Sequence, residues 1–296
     1  MSRVRIGSPV EWLWPLAFCL CFGWVVWHGP AYILDFGPEN QQLVAQYERS
    51  DITPAMPPLF GTAGDIVDYL ALLVSPVLFV VGVLAVRDAP MEYGDGSRYD
   101  KVAMFVGRIT MILIVLLTGV MLYEVLMRYV FERPTIWANE LSLWLAGFVF
   151  LGAGLYAMQQ RSHIRIYLLY DICPRWLQRI FDVVSTALIV LFALALFYGG
   201  YGEAFAKFMR WETFGTAFDP PIPATLKIMV LLMVGLVALQ SVINLVTDWN
   251  AAPVVHTAAD DIDADELEKL RAQLARDNGS EAVHSAAAVS GKGGQS

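Results

Sequence analysis

Charge is what this sequence has least of. Of 296 residues only 16% are Asp, Glu, Lys or Arg, against 57% hydrophobic, and the mean hydropathy is +0.53. Soluble domains carry about 25% charged residues, so the shortage points to a membrane protein. The 20 basic residues are outnumbered by 28 acidic ones, a formal net charge of -8, and they form no basic stripe. Nucleic acid is therefore not expected as a partner. Of the three cysteines, Cys19 and Cys21 are too close together in an apolar stretch and Cys173 is alone, which leaves no disulfide framework. The four histidines, His28, His163, His256 and His284, all avoid the middles of the apolar runs. A haem subunit needs paired ring nitrogens on facing helices, and that pairing is missing here. So are a Cys/His cluster with metal spacing, a glycine-rich phosphate loop after a strand and a Gly-x-Ser-x-Gly turn. An enzyme would lack its residues, and neither cofactor nor metal is expected.

What the chain does have is length of apolar run. About 20 apolar residues cross a bilayer core of about 30 Å. Residues 66–86, 102–127, 136–158, 180–200 and 222–247 meet that length, and a shorter run, 10–27, opens the chain. The opening stretch has the basic start and apolar middle of a secretory signal but lacks a small-x-small cleavage site, and it ends in "WVVWHGP". Tryptophans at that place suit an interfacial belt, so 10–27 reads as a retained helix. Six spans follow, in an all-α integral membrane protein. Between them, nine Lys and Arg, from Arg3 and Arg5 to Arg175 and Arg179, fall on one side and five, from Arg49 to Arg210, on the other. The positive-inside rule then puts both termini in the cytoplasm.

Outside the spans little remains. The first outer loop, about 28–65, is acidic, and Pro54, Pro57 and Pro58 point to an irregular crossing to the second helix. Residues 260–277 place acids early, bases late and Leu267, Leu270 and Leu274 at helical spacing, a short amphipathic tail helix. It lies either on a membrane or partner surface or in solvent. Beyond Gly279, Ser, Ala and Gly take over and disorder is expected.

An ionisable group inside a span raises a functional question by default. Arg108 has a stem long enough to snorkel to the cytoplasmic surface. Glu124 and Arg128 stand four apart near an outer helix end, in the favoured order for an ion pair. Glu140 is placed in the first turn of the fourth span, where the macrodipole favours a carboxylate, and a contact from Arg128 or Arg133 across the short turn is expected. The same helix carries a row of small residues, Ala138, Ser142 and Ala146, then Gly147, Gly152, Gly154 and Ala157. Small residues let helices approach closely in lipid. Spacing alone leaves open whether they pack within this chain or against another subunit.

The series from Arg128 through "RYVFERPTIWANELSLWLAGFVFLGAGLYAMQQRSHIRI" resembles the small membrane subunit of a tripartite ATP-independent periplasmic (TRAP) transporter. The resemblance rests on Arg128 closing one helix, Pro134 in the turn, then Trp137, Glu140, Trp144, Gly152 and the His163-Ile164 pair. "DPPIPATLK", with Pro223 in a helix first turn, also suits the family. Tyr167 stands where the family often has an acid, and Asp171 follows four later. The resemblance covers about residues 100–250, so 1–100 reads as an extension with two more spans, 101–250 as the four-helix domain and 251–296 as a cytoplasmic tail.

That resemblance implies a sodium-driven importer of an organic acid or similar solute in the bacterial inner membrane. It implies that a separate large membrane subunit carries the solute and sodium sites, and that a periplasmic substrate-binding protein delivers the solute. This chain is then a scaffold, with Arg128, Pro134, Trp137, Glu140, Trp144, Gly152 and His163 ordering its motif and subunit interface. Arg133, Lys207, Arg210 and Glu212 in the outer loops are placed for docking of the delivery protein, with lipid headgroups as the alternative contact. His163 opens an Arg-rich and aromatic connector suited to the membrane surface, where it serves either as a titrating switch or as a cap or headgroup contact. From a different class, the rival is a membrane anchor of a redox or other membrane enzyme complex. A self-sufficient carrier is disfavoured, because the halves show no inverted repeat with paired broken spans.

Overall fold

In the computed structural model, residues 9–36, Leu43, 63–86, 100–160 and 173–249 are described. The chain divides into two compact units. One joins Met1–Arg165 to Arg175–Ala251; the other joins Ile166–Pro174 to Ala252–Ser296, of which Cys173 and Pro174 are described. The proline-rich crossing, the His163 connector and the tail helix over 260–277 therefore lie outside the described residues.

Every described element is helical: α1 Pro9–Trp27, α2 Gly29–Phe36, α3 Ile66–Ala85, α4 Asp100–Tyr129, α5 Ile136–Gln159, α6 Arg175–Met209 and α7 Ile222–Asp248. In a bilayer core each backbone N–H needs a partner within its own segment, so long apolar runs become helices wherever they are long enough. Among the described residues five helices, α3 to α7, are long and apolar enough to span, and α1 with α2, bent by 53°, makes a sixth if the pair is counted as one span. The protein is an all-α integral membrane protein. α2 departs from the outer loop expected to begin at about residue 28: a second short helix follows α1 at once.

The helix ends have local causes. Asp65 caps α3 by accepting from the Asp68 N–H at 2.8 Å, while the Asp68 carboxylate accepts from the Asp65 N–H at 3.0 Å, a reciprocal capping box. Pro223 lies in the first turn of α7, where its missing N–H costs nothing. Pro15 and Pro76 sit inside α1 and α3. At 1.5 Å per residue the 35-residue α6 is about 52 Å long, well beyond a core of about 30 Å, so it either tilts or projects.

Helices pair as neighbours: α1 with α3, α4 with α5, α6 with α7. α5 packs on α7, and α1 and α3 pack on α4. Ala103 and Val106 of α4, Leu155 of α5 and Met233 of α7 form the central cluster, with Phe79 of α3 against it. Phe18, Phe79 and Phe105 meet edge-on or tilted, with centroids 5.4 to 6.1 Å apart, and bind the first helices to α4. Gly82 makes room for the Phe105 ring. Arg108, expected to snorkel, holds its guanidinium over the Trp12 ring at 5.0 Å.

One end of the bundle closes on polar bonds between helices. Gln240 donates to buried Asp100 at 2.7 Å, Asn244 donates to the Met158 carbonyl at 2.8 Å, and Ser241 donates to Thr186 at 3.3 Å. Such bonds are worth about 0.6 to 2 kcal/mol each in a membrane and fix the pairing register.

Candidate functional site

The opposite end carries the α1–α2 junction and the α4–α5 and α6–α7 connections. Most of the residues singled out in the sequence gather there.

The α4–α5 turn, residues 130–135, is organised by Glu124. Its buried carboxylate accepts from Arg128 Nε at 3.0 Å and Nη2 at 2.5 Å, the pair that the i, i+4 spacing predicts. Its second oxygen accepts the Thr135 N–H at 3.0 Å and a very short bond from the Thr135 hydroxyl. Thr135 is the N-cap residue just before α5, so one carboxylate ties the end of α4 to the beginning of α5. The chain reverses through Glu132 at φ 52° and the Arg133 N–H on the Met127 carbonyl at 2.8 Å. Pro134 follows in the exposed turn, and Arg133 is exposed beside it.

Glu140 does something other than expected. α5 begins at Ile136, which puts Glu140 in its second turn, and its carboxylate meets neither Arg128 nor Arg133. Glu140 Oε2 instead accepts from the Thr216 hydroxyl at 2.6 Å and from the Phe218 and Asp219 N–H groups at 3.2 Å each. The reason is direction. A residue one turn inside α5 faces α7 and the connection leading into it, while the α4–α5 turn is already served by Glu124.

Trp144, one turn further on, is buried and donates its indole N–H to Thr225 of α7 at 2.9 Å. Trp137 lies on the outside of α5 against Tyr123, ring centroids 5.7 Å apart. The small residues of α5 divide between faces. Ala138 and Ser142 are buried, a side chain at Gly147 would strike Leu226 of α7, and one at Gly152 would strike Thr110 of α4. Gly154 has nothing within 4 Å of where a Cβ would stand. Close packing inside the chain thus accounts for Gly147 and Gly152, and Gly154 belongs to an open face.

The α6–α7 connection, residues 210–221, holds the other charged candidates. Lys207 donates to Glu212 at 2.6 Å and lies 3.9 Å from Glu203; Arg210 lies 3.6 Å from Glu212. Lys227 of α7 closes on Glu203 in a very short ion pair. Lys207, Arg210 and Glu212 are therefore one network, apart from Arg133. Trp211, which sequence reasoning did not single out, is buried in this loop against Ile33, Leu34, Leu43 and Ala224. A lone tryptophan beside an arginine at a helix end gives no signal of a distant socket. Thr216 and Asp219 were unmarked for the same reason: their partner is 76 to 79 residues away.

Chemically, the carboxylates of both turns are occupied by donors and hold backbone in place. Among the described residues no group of three or more His, Cys, Asp or Glu converges on a metal position. The arrangement gives the bundle a shaped end surface, rimmed by exposed Tyr129, Phe131, Ile136 and Trp137. Aromatic residues of that kind suit a membrane–water interface.

Residues 117–251 match the family model described as tripartite ATP-independent periplasmic transporters, DctQ component. A curated relative, the C4-dicarboxylate TRAP transporter small permease protein DctQ of Vibrio cholerae serotype O1 (strain ATCC 39315 / El Tor Inaba N16961), is 24% identical over 141 residues, 46% of this chain. The chain spans 60% of the length of that relative. No solved structure matches. The matched residues 117–251, from the second half of α4 through α7, are thus similar to the DctQ component of these transporters, the family that the Arg128-to-His163 series resembles.

Proposed function

We propose, from that similarity to the DctQ component, that the chain is the scaffold subunit of a sodium-driven TRAP transporter in a bacterial inner membrane. A large membrane subunit beside it binds and moves the solute, and a periplasmic binding protein delivers it. The observation that carries this reading is the family match over residues 117–251. Two features support it physically. Open apolar faces on α5 and α6, with Gly154 and Leu188, Leu191 and Phe192 uncovered, offer surface for a large membrane partner. The turn end is a surface shaped by the bonds of Glu124 and Glu140 to the two connections.

With both termini in the cytoplasm, the turn end faces the periplasm, and Arg133, Lys207, Arg210 and Glu212 contribute to docking of the binding protein. The solute is an organic acid; the Vibrio cholerae relative bears the name of a C4-dicarboxylate transporter. The test is a mild-detergent pull-down from the native membrane. Recovery of one much larger membrane protein with about a dozen spans is the expected result. Recovery of redox subunits, or sodium-driven uptake by the purified chain alone in vesicles, overturns it.

A further inference from the structure

The α6–α7 loop opens on local bonds, the Trp211 N–H on the Phe208 carbonyl at 2.9 Å and the Glu212 N–H on the Lys207 carbonyl at 3.0 Å, but its backbone is unusual. Of the four positive-φ residues among those described, three fall in it: Trp211 at 46°, Gly215 at 79° and Asp219 at 58°. A bulky side chain in the left-handed region is disfavoured by the clash of its Cβ with the backbone, and persists only where surrounding contacts over-determine it. Asp219 accepts the Gly215 N–H at 2.7 Å, which explains one short stretch. Glu140 explains residues 216–219. At Trp211 the local bonds close the helix end, which suits a left-handed residue there but does not account for the burial of a bulky indole.

Trp211 is held from the other side. Its indole covers Gly29, where any Cβ would overlap the ring, and Ile33 and Leu34 of α2 close around it with Leu43 and Ala224. Beside it Trp27, the last residue of α1, lies 6.2 Å from the Phe218 ring, centroid to centroid. The α1–α2 junction is itself fixed. His28 stacks on Trp24 at 4.2 Å, and the Trp24 indole donates to Asp68 of α3 at 2.9 Å. Tyr32 donates to the Asp68 carbonyl at 2.7 Å. Asp35, at the end of α2, accepts from Ala63 and Gly64 N–H groups at 2.8 and 3.0 Å and from Tyr69 at 2.5 Å. α1, α2 and α3 all precede the family match at 117–251, and α1 and α3 pack on α4. The α1–α2 junction is where they meet the loop.

We propose that α2 is a clamp: the first three helices, through the Gly29–Trp211 socket, set the conformation of the α6–α7 loop. Whatever meets this end of the protein meets α2 and residues 210–221 as one surface. The first helices thus act on the matched region at its end, in addition to widening it along α4.

The test is amide hydrogen exchange by mass spectrometry on the full chain in detergent, comparing Gly29→Leu, Trp211→Ala and the double variant. Each single change should raise exchange of residues 212–219 at least about tenfold, leaving the interiors of α5 and α7 unaffected. The double variant should be no worse than Trp211→Ala, because the leucine then enters the space the indole has left. Unchanged loop exchange in both single variants, additive effects in the double, or a uniform rise along the whole chain overturns the proposal. If Gly29→Leu does not insert, Trp211→Phe decides: exchange intermediate between wild type and Trp211→Ala supports the socket, and wild-type exchange in Trp211→Ala overturns it. Transport is not the readout, so failure of the pull-down leaves this result standing.

Discussion

Two glutamates hold the two turns at one end of this bundle, and they do it over very different distances. Glu124 reaches Arg128 four residues on and Thr135 eleven residues on, and closes the turn that follows its own helix. Glu140 reaches Thr216, Phe218 and Asp219, 76 to 79 residues away, with no cation among its partners. The first is a local device, buried and charge-balanced; the second joins two helical hairpins and lies nearer solvent. A carboxylate at a helix end can serve either, and the neighbouring sequence announces only the local one.

Glu124→Ala should cause the largest loss. It frees the Thr135 N–H, its hydroxyl and the Arg128 guanidinium together, and the folded yield in detergent should fall several-fold. A wild-type melting curve for this variant would break the contrast. Glu140→Ala should cost about 2 kcal/mol, since three donors at a partly solvated site can turn to water. Glu140→Gln should cost about half of that, and thermal unfolding in detergent measures both.

Additivity sharpens the comparison. Glu140→Ala and Arg128→Ala share no partner, so their losses should add within about 0.5 kcal/mol, whereas Arg128→Ala on top of Glu124→Ala should add little. Strong coupling between Glu140 and Arg128 would restore the contact expected from the short turn. The smallest effect belongs to Trp144→Phe, which keeps the ring in place and removes only the bond to Thr225. It should cost about 0.6 kcal/mol, the average for an interhelical hydrogen bond in a membrane. A loss several times larger would show that the α5–α7 contact, and not Glu140, is the main tie between the hairpins.

The same division runs through what was readable beforehand. The expected run 136–158 became Ile136–Gln159 and 222–247 became Ile222–Asp248. The Glu124–Arg128 pair and the place of Pro223 were equally legible. The short α2 was not, because eight residues at an aromatic-rich boundary carry neither a full span of apolar length nor a clear cap. The small residues of α5 were visible as a row, but only the fold assigned Gly147 to α7 and Gly152 to α4 and left Gly154 open.

The sequence by itself determined the long helices and the Glu124–Arg128 ion pair. In a bilayer the backbone must satisfy itself within each segment, and that requirement is written in runs of adjacent residues. Tertiary structure alone decided that Glu140 holds a loop from the next hairpin and that Trp211 rests on Gly29. Those contacts depend on the rotation and register of helices that meet through small residues and shape, and lipid offers no hydrophobic gradient between helices to mark the faces in advance.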